Sequence, residues 1–165
     1  MRKQKGFSLI ELLIVVAIIL IIAAIAIPNL LRSRIAANET SAVGSLRTLN
    51  TSEVTYQSTY PDLGFTCTLA SLAPPATTAQ PTSTAAGLID ATLAGGVKSG
   101  YTFATIGTNS TCTVVSGIMI NYQWGGAPTA PGQTGQRYFC SDQSGVIMFD
   151  ASTSTSNCST AGKSL

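Results

Sequence analysis

The 165-residue chain contains no histidine. That removes the commonest general base and the commonest metal ligand together. Charge is scarce too, with 10% of residues Asp, Glu, Lys or Arg, against about 25% in an ordinary soluble domain. Three of the nine basic residues, Arg2, Lys3 and Lys5, crowd into the first five positions. From residue 7 onward six basic side chains face seven acidic ones, so no basic stripe remains and no nucleic-acid partner is expected. Beyond residue 60 the acids reduce to Asp62, Asp90, Asp142 and Asp150. Of these, only Asp142 and Asp150 can face each other, across a hairpin, and a hairpin offers no cleft for a carboxylate pair about 5 Å apart. Calcium needs six to eight oxygens, usually several from carboxylates, yet the tail after Asp150 has no acid. No enzyme, no metal and no cofactor are expected.

Apolar residues are abundant and unevenly placed. Leu12 to Ile27 is a run of sixteen without a polar side chain. Phe7 to Ile27 would span about 32 Å as a helix, enough to cross a bilayer. The basic end before it reads as cytoplasmic retention. A secretory signal would place a small-residue cleavage site after a short apolar run, but here apolar residues continue past Ala23–Ala26. A plain membrane anchor fits this much. Glu11 sits awkwardly with that reading, since a carboxylate inside an apolar span costs roughly 2.5–3.5 kcal/mol on insertion scales. It can snorkel toward the headgroups. Alternatively, cleavage between Gly6 and Phe7 would create an α-amino cation at Phe7, and two copies staggered lengthwise would pair that amine with the neighbour's Glu11.

The stretch KGFSLIELLIVVAIILIIAAIAIPNLL, residues 5–31, closely resembles the N-terminus of type IV pilins and of the related type II secretion pseudopilins. The resemblance implies a short, class III leader at residues 1–6, cut after Gly6 by a prepilin peptidase that also N-methylates Phe7. It implies an inner-membrane pool with the head in the periplasm, then self-association into a helical filament through the assembly machinery, and an extracellular pilus. In that family the glutamate matching Glu11 pairs with a neighbouring N-terminal amine, and the proline matching Pro28 kinks the helix. Leu20 departs from the pattern, because many members carry glycine there, where the helix loosens on assembly. A structural pilus subunit serving adhesion, motility or DNA uptake is the leading reading, with a secretion pseudopilin as the alternative.

The expected fold is α+β: a long helix, membrane-spanning and filament-forming over residues 7–28 and amphipathic over residues 29–60, packed on a small antiparallel sheet in a head at residues 61–165. At 100° per residue, Leu31, Ile35, Ala42, Leu46, Leu49, Tyr56 and Tyr60 share an arc of about 80°. Glu39 and Glu53 interrupt the edge of that stripe, and Arg32 and Arg34 either touch headgroups, Glu39 or neighbouring subunits, or lie on a solvated face. A short turn is expected at Thr68–Leu72 and a second helix from Ala85 to Leu93, capped by Ser83 or Thr84 and stopped at Gly95–Gly96. Three or four strands follow: Gly100–Ile106, Thr111–Trp124 broken at Gly117, and a hairpin of Gln136–Ser141 with Val146–Phe149. GGAPTAPGQTG between them reads as loop. The tail beyond Asp150 is too polar to fold alone. Cys67, Cys112, Cys140 and Cys158 read as two disulfides of an oxidising compartment. Three pairings exist, and the shortest loop favours Cys140 with Cys158, leaving Cys67 with Cys112.

Overall fold

The computed structural model describes residues 7–76, 79–106, 112–151, 154–155 and 162–165. Two compact units divide the chain, Met1–Arg34 and Ile35–Leu165. Helix α1 (Leu9–Thr59) runs through the first and opens the second. In the first unit the leucines, isoleucines and valines of the apolar run are exposed. Pro28 lies inside the helix without ending it, and the helix is unbroken from Leu20 to Pro28.

In the second unit α1 buries Ile35, Ala42, Leu46, Leu49 and Tyr56, the expected stripe. Leu31 stays exposed in the first unit, and Tyr60 is half-buried. Helix α2 (Leu69–Leu72) is capped by Thr68, whose hydroxyl accepts the Ser71 N–H at 3.3 Å. The second short helix differs from expectation. Helix α3 covers Ala91–Ala94, with the Asp90 carboxylate accepting the Leu93 N–H at 2.9 Å and Gly95 closing it. Residues 86–88 are irregular instead, with Gly87 at φ +69°, because their N–H groups donate to the Ser71, Ala73 and Leu72 carbonyls at 2.8–2.9 Å. A satisfied non-helical backbone outcompetes a helix that alanine content alone would favour.

The sheet is wider than three or four strands. Strands β1 (Val97–Lys98), β2 (Tyr101–Thr105), β5 (Gln123–Pro128), β6 (Tyr138–Asp142), β7 (Ile147–Asp150) and β8 (Lys163–Ser164) pair in that order, each antiparallel to its neighbour. Strands β3 (Val114–Val115) and β4 (Ile118–Met119) form a separate hairpin turning at Ser116–Gly117, the expected break. The register sets Tyr101, Phe103, Trp124, Phe139, Ser141 and Ile147 on one face, toward α1. On the opposite face Ile106, Cys140 and Met148 form a second small cluster.

One expectation fails inside this sheet. Residues 125–128 of the glycine-rich stretch are strand, not loop. A Cβ at Gly125 would come within 2.8 Å of the Ile106 side chain, and one at Gly126 within 3.2 Å of the Phe103 ring. The missing side chains therefore make room for large neighbours lying over the strand. Asp142 and Asp150 do not face each other: Asp142 pairs with Gln123 at one end of β6, and Asp150 pairs with Tyr138 at the other. The polar tail does add order, since β8 pairs with β7 and the Leu165 N–H donates to the Ile147 carbonyl at 3.1 Å.

Candidate assembly site

The expected assembly residues lie at the start of α1. Gly6 is outside the described residues. Phe7 is 80% exposed. The Ser8 N–H donates to Glu11 Oε2 at 3.0 Å, and the Leu12 N–H to the Ser8 carbonyl at 3.2 Å. This is half of a capping box, in which an N3 glutamate reaches back to the N-cap amide. Glu11 thus has a job within its own chain: it satisfies an orphan donor and places negative charge at the positive end of the helix dipole. The Ser-x-x-Glu spacing of Ser8 and Glu11 carries that signal in the sequence, beside the charge of Glu11. The carboxylate is exposed, so the cap leaves it open to a second partner.

In the second unit the polar side chains that matter are those that read as blemishes in an apolar stripe. Glu39 is 6% exposed. Its Oε1 accepts the backbone N–H groups of Gln136 and Arg137 at 2.9 and 3.2 Å, and its Oε2 accepts Arg137 Nε–H at 2.8 Å. Glu39 therefore engages the residues that lead into β6. Glu53 is fully buried: Oε2 accepts the Thr66 N–H at 2.8 Å and Oε1 the Trp124 indole N–H at 3.0 Å. Burial drives its pKa up to about 7, against the smaller opposing effect of those two bonds. Asn50 donates to Ser141 Oγ at 2.7 Å and tethers the helix to the β6–β7 hairpin.

A Cys67–Cys112 disulfide ties the connection after α1 to the base of the β3–β4 hairpin. Cys140 is disulfide-bonded as well, and its expected partner Cys158 lies outside the described residues. Among the described residues no three His, Cys, Asp or Glu side chains come together as a metal site.

A long helix with an exposed apolar first unit and an antiparallel sheet packed on its second is an α+β arrangement consistent with the pilin fold. The family model for the prokaryotic N-terminal methylation motif matches residues 1–27. The chain is 68% identical over 40 residues to the type IV wide pilus major component PilA4 of Thermus thermophilus, covering 24% of this chain and 30% of that protein. It is 45% identical over 54 residues to the type IV major pilin protein PilA of Myxococcus xanthus, covering 33% and 24%. A fimbrial protein of Pseudomonas aeruginosa is 43% identical over 79 residues, covering 40% and 51%. The matches thus span between about a quarter and a half of the relatives' lengths. No solved structure matches the chain.

Proposed function

We propose that this chain is a structural subunit of a type IV pilus and polymerises through its N-terminal helix. The methylation motif at residues 1–27, continuous with an apolar helix long enough to cross a bilayer, carries the reading. In this account residues 1–6 are a leader removed after Gly6, and Phe7 becomes the N-methylated first residue. Residues 7–28 hold the subunit in the inner membrane, with the head in the periplasm. The filament then shelters the same apolar side chains from water once the membrane is left behind. Residues 29–60 seat the head, and residues 61–165 form the outer surface of an extracellular fibre. Prepilin peptidase and the pilus assembly machinery are the partners, beside further copies of the chain.

Within the filament the Phe7 amine of one copy meets Glu11 of the next. In an apolar bundle this pairing neutralises two charges and fixes the axial stagger. Pro28 supplies the bend that an interior proline imposes. The work is structural, with no chemistry at a catalytic centre. The named relatives are pilus and fimbrial proteins, which favours a pilin over a pseudopilin of the type II secretion system.

The test is Glu11→Ala in the source cells, followed by electron microscopy and blotting of sheared fibres. Processed chain should accumulate in the membrane with few or no fibres. Normal fibres from that variant would overturn the pairing.

A further inference from the structure

The fully buried carboxylate of Glu53 has two donors, both neutral, and among the described residues no Lys or Arg pairs with it. Each donor belongs to a different part of the head. Trp124 lies in β5, hydrogen-bonded to strands on both sides. Thr66 lies in the connection after α1, which is held far less regularly. The Leu63 and Gly64 N–H groups donate to the Tyr60 carbonyl at 3.0 and 3.2 Å, and the Phe65 ring packs edge-on against Tyr122.

The same connection carries the β3–β4 hairpin. The Phe65 N–H donates to the Met119 carbonyl, the Met119 N–H to the Leu63 carbonyl, and Cys67 is bonded to Cys112. The hairpin packs little of itself away: Val114, Val115, Ile118 and Ile120 are all exposed. Two two-residue strands do not hold together alone in water. What seats the connection therefore seats the hairpin.

The titratable groups coupled to Glu53 are Tyr56 on its own helix, which in turn feels Tyr60, and Tyr122 from the segment before β5, which also feels Asp142. Burial pushes the Tyr122 phenol up to about 12, and burial raises Tyr56 as well, so both stay neutral at ordinary pH. Of Glu53, Tyr56 and Tyr122, Glu53 is the one that changes charge near neutrality.

We propose that Glu53 is a protonation-controlled latch: as the neutral acid it seats the 63–67 connection and the disulfide-linked hairpin on the helix, and as the carboxylate it loosens them. An ionised carboxylate without a cation demands water. The proton leaves to solvent, and water reaches the charge from the Thr66 side, where only an irregular connection must move, and not through the paired strand that holds Trp124. The four exposed apolar side chains of the hairpin shift with it, so this part of the head's surface becomes pH-dependent.

Trp124 is the only tryptophan in the chain and donates directly to Glu53, so its fluorescence reports the protonation state. The full chain in detergent micelles should show one fluorescence step between pH 5 and 9, centred near 7. Glu53→Gln should abolish the step, and Asp142→Asn should retain it. Amide exchange at Thr66, corrected for the intrinsic rise with pH, should lose at least tenfold protection across the same step, while the Trp124 amide does not. No step, a step that survives Glu53→Gln, or unchanged Thr66 protection across the step would each overturn the latch. Should Glu53→Gln fail to fold, the exchange measurement on the unsubstituted chain decides alone.

Discussion

Glu39 and Arg137, 98 positions apart in sequence, join the helix to the start of β6 through Glu39 Oε2 and Arg137 Nη2 at 2.8 Å. The two ends of this pair are unequal. Glu39 also satisfies two backbone N–H groups, while Arg137 lies over the Phe139 and Phe149 rings, 5.5 and 5.3 Å from their centroids, and stays partly exposed. Glu39→Ala leaves two amides and a guanidinium without their acceptor and should cost about 3 kcal/mol. Arg137→Ala keeps the amide bonds and should cost about 1–2 kcal/mol. Urea unfolding of the two variants, followed by Trp124 fluorescence, checks the order.

Glu53 makes stability depend on pH in the opposite sense to most carboxylates. Its folded-state pKa, near 7, lies above the ordinary 4.5. The folded chain therefore holds this proton more tightly than the unfolded chain, and stabilisation is complete below about pH 4.5 and lost as pH rises through 7. The whole window amounts to about 3 kcal/mol. In paired denaturation curves at several pH values, the difference between the parent chain and Glu53→Gln should grow in favour of the variant from pH 5 to 8.

The Cys67–Cys112 bond closes a loop with a sequence separation of 45. On the chain-entropy estimate this stabilises the head by about 4 kcal/mol. Replacing both cysteines by serine should lower the melting temperature, and in hydrogen exchange the β3–β4 hairpin should lose protection before the central strands do.

Gly64 has φ +78° and faces the Met119 carbonyl so closely that a Cβ would collide with it. Gly64→Ala combines a left-handed backbone with that clash and should destabilise by about 2 kcal/mol. Gly44, an exposed helical position with nothing near its missing Cβ, should instead gain about 1 kcal/mol on substitution by alanine. Thermal unfolding of the two variants should shift in opposite directions.

Periodicity reached far into this fold. The 3.6-residue stripe placed Ala42, Leu46, Leu49 and Tyr56 in the core, and alternation placed Tyr101 and Phe103 there. It failed where one residue's place is set by a distant one. Glu39 and Glu53 looked like defects in the stripe because their partners lie elsewhere in the chain, near β6 and in β5. Gly125 and Gly126 looked like loop because the side chains that need their space come from β2 and from the residue after it. β8 was hidden because a two-residue polar strand has no pattern of its own and exists only against β7. At the assembly end the apolar run, Glu11 and the Ser8 cap are all written in local sequence, the cap in the Ser-x-x-Glu spacing rather than in charge or hydropathy.

Mass spectrometry of fibres sheared from the source cells decides whether a processed subunit polymerises through its N-terminal helix. The fibres should hold an abundant chain that begins at N-methylated Phe7 with its cysteines oxidised. A chain that still begins at Met1, or fibres that lack the chain, would show that polymerisation through a processed helix does not occur.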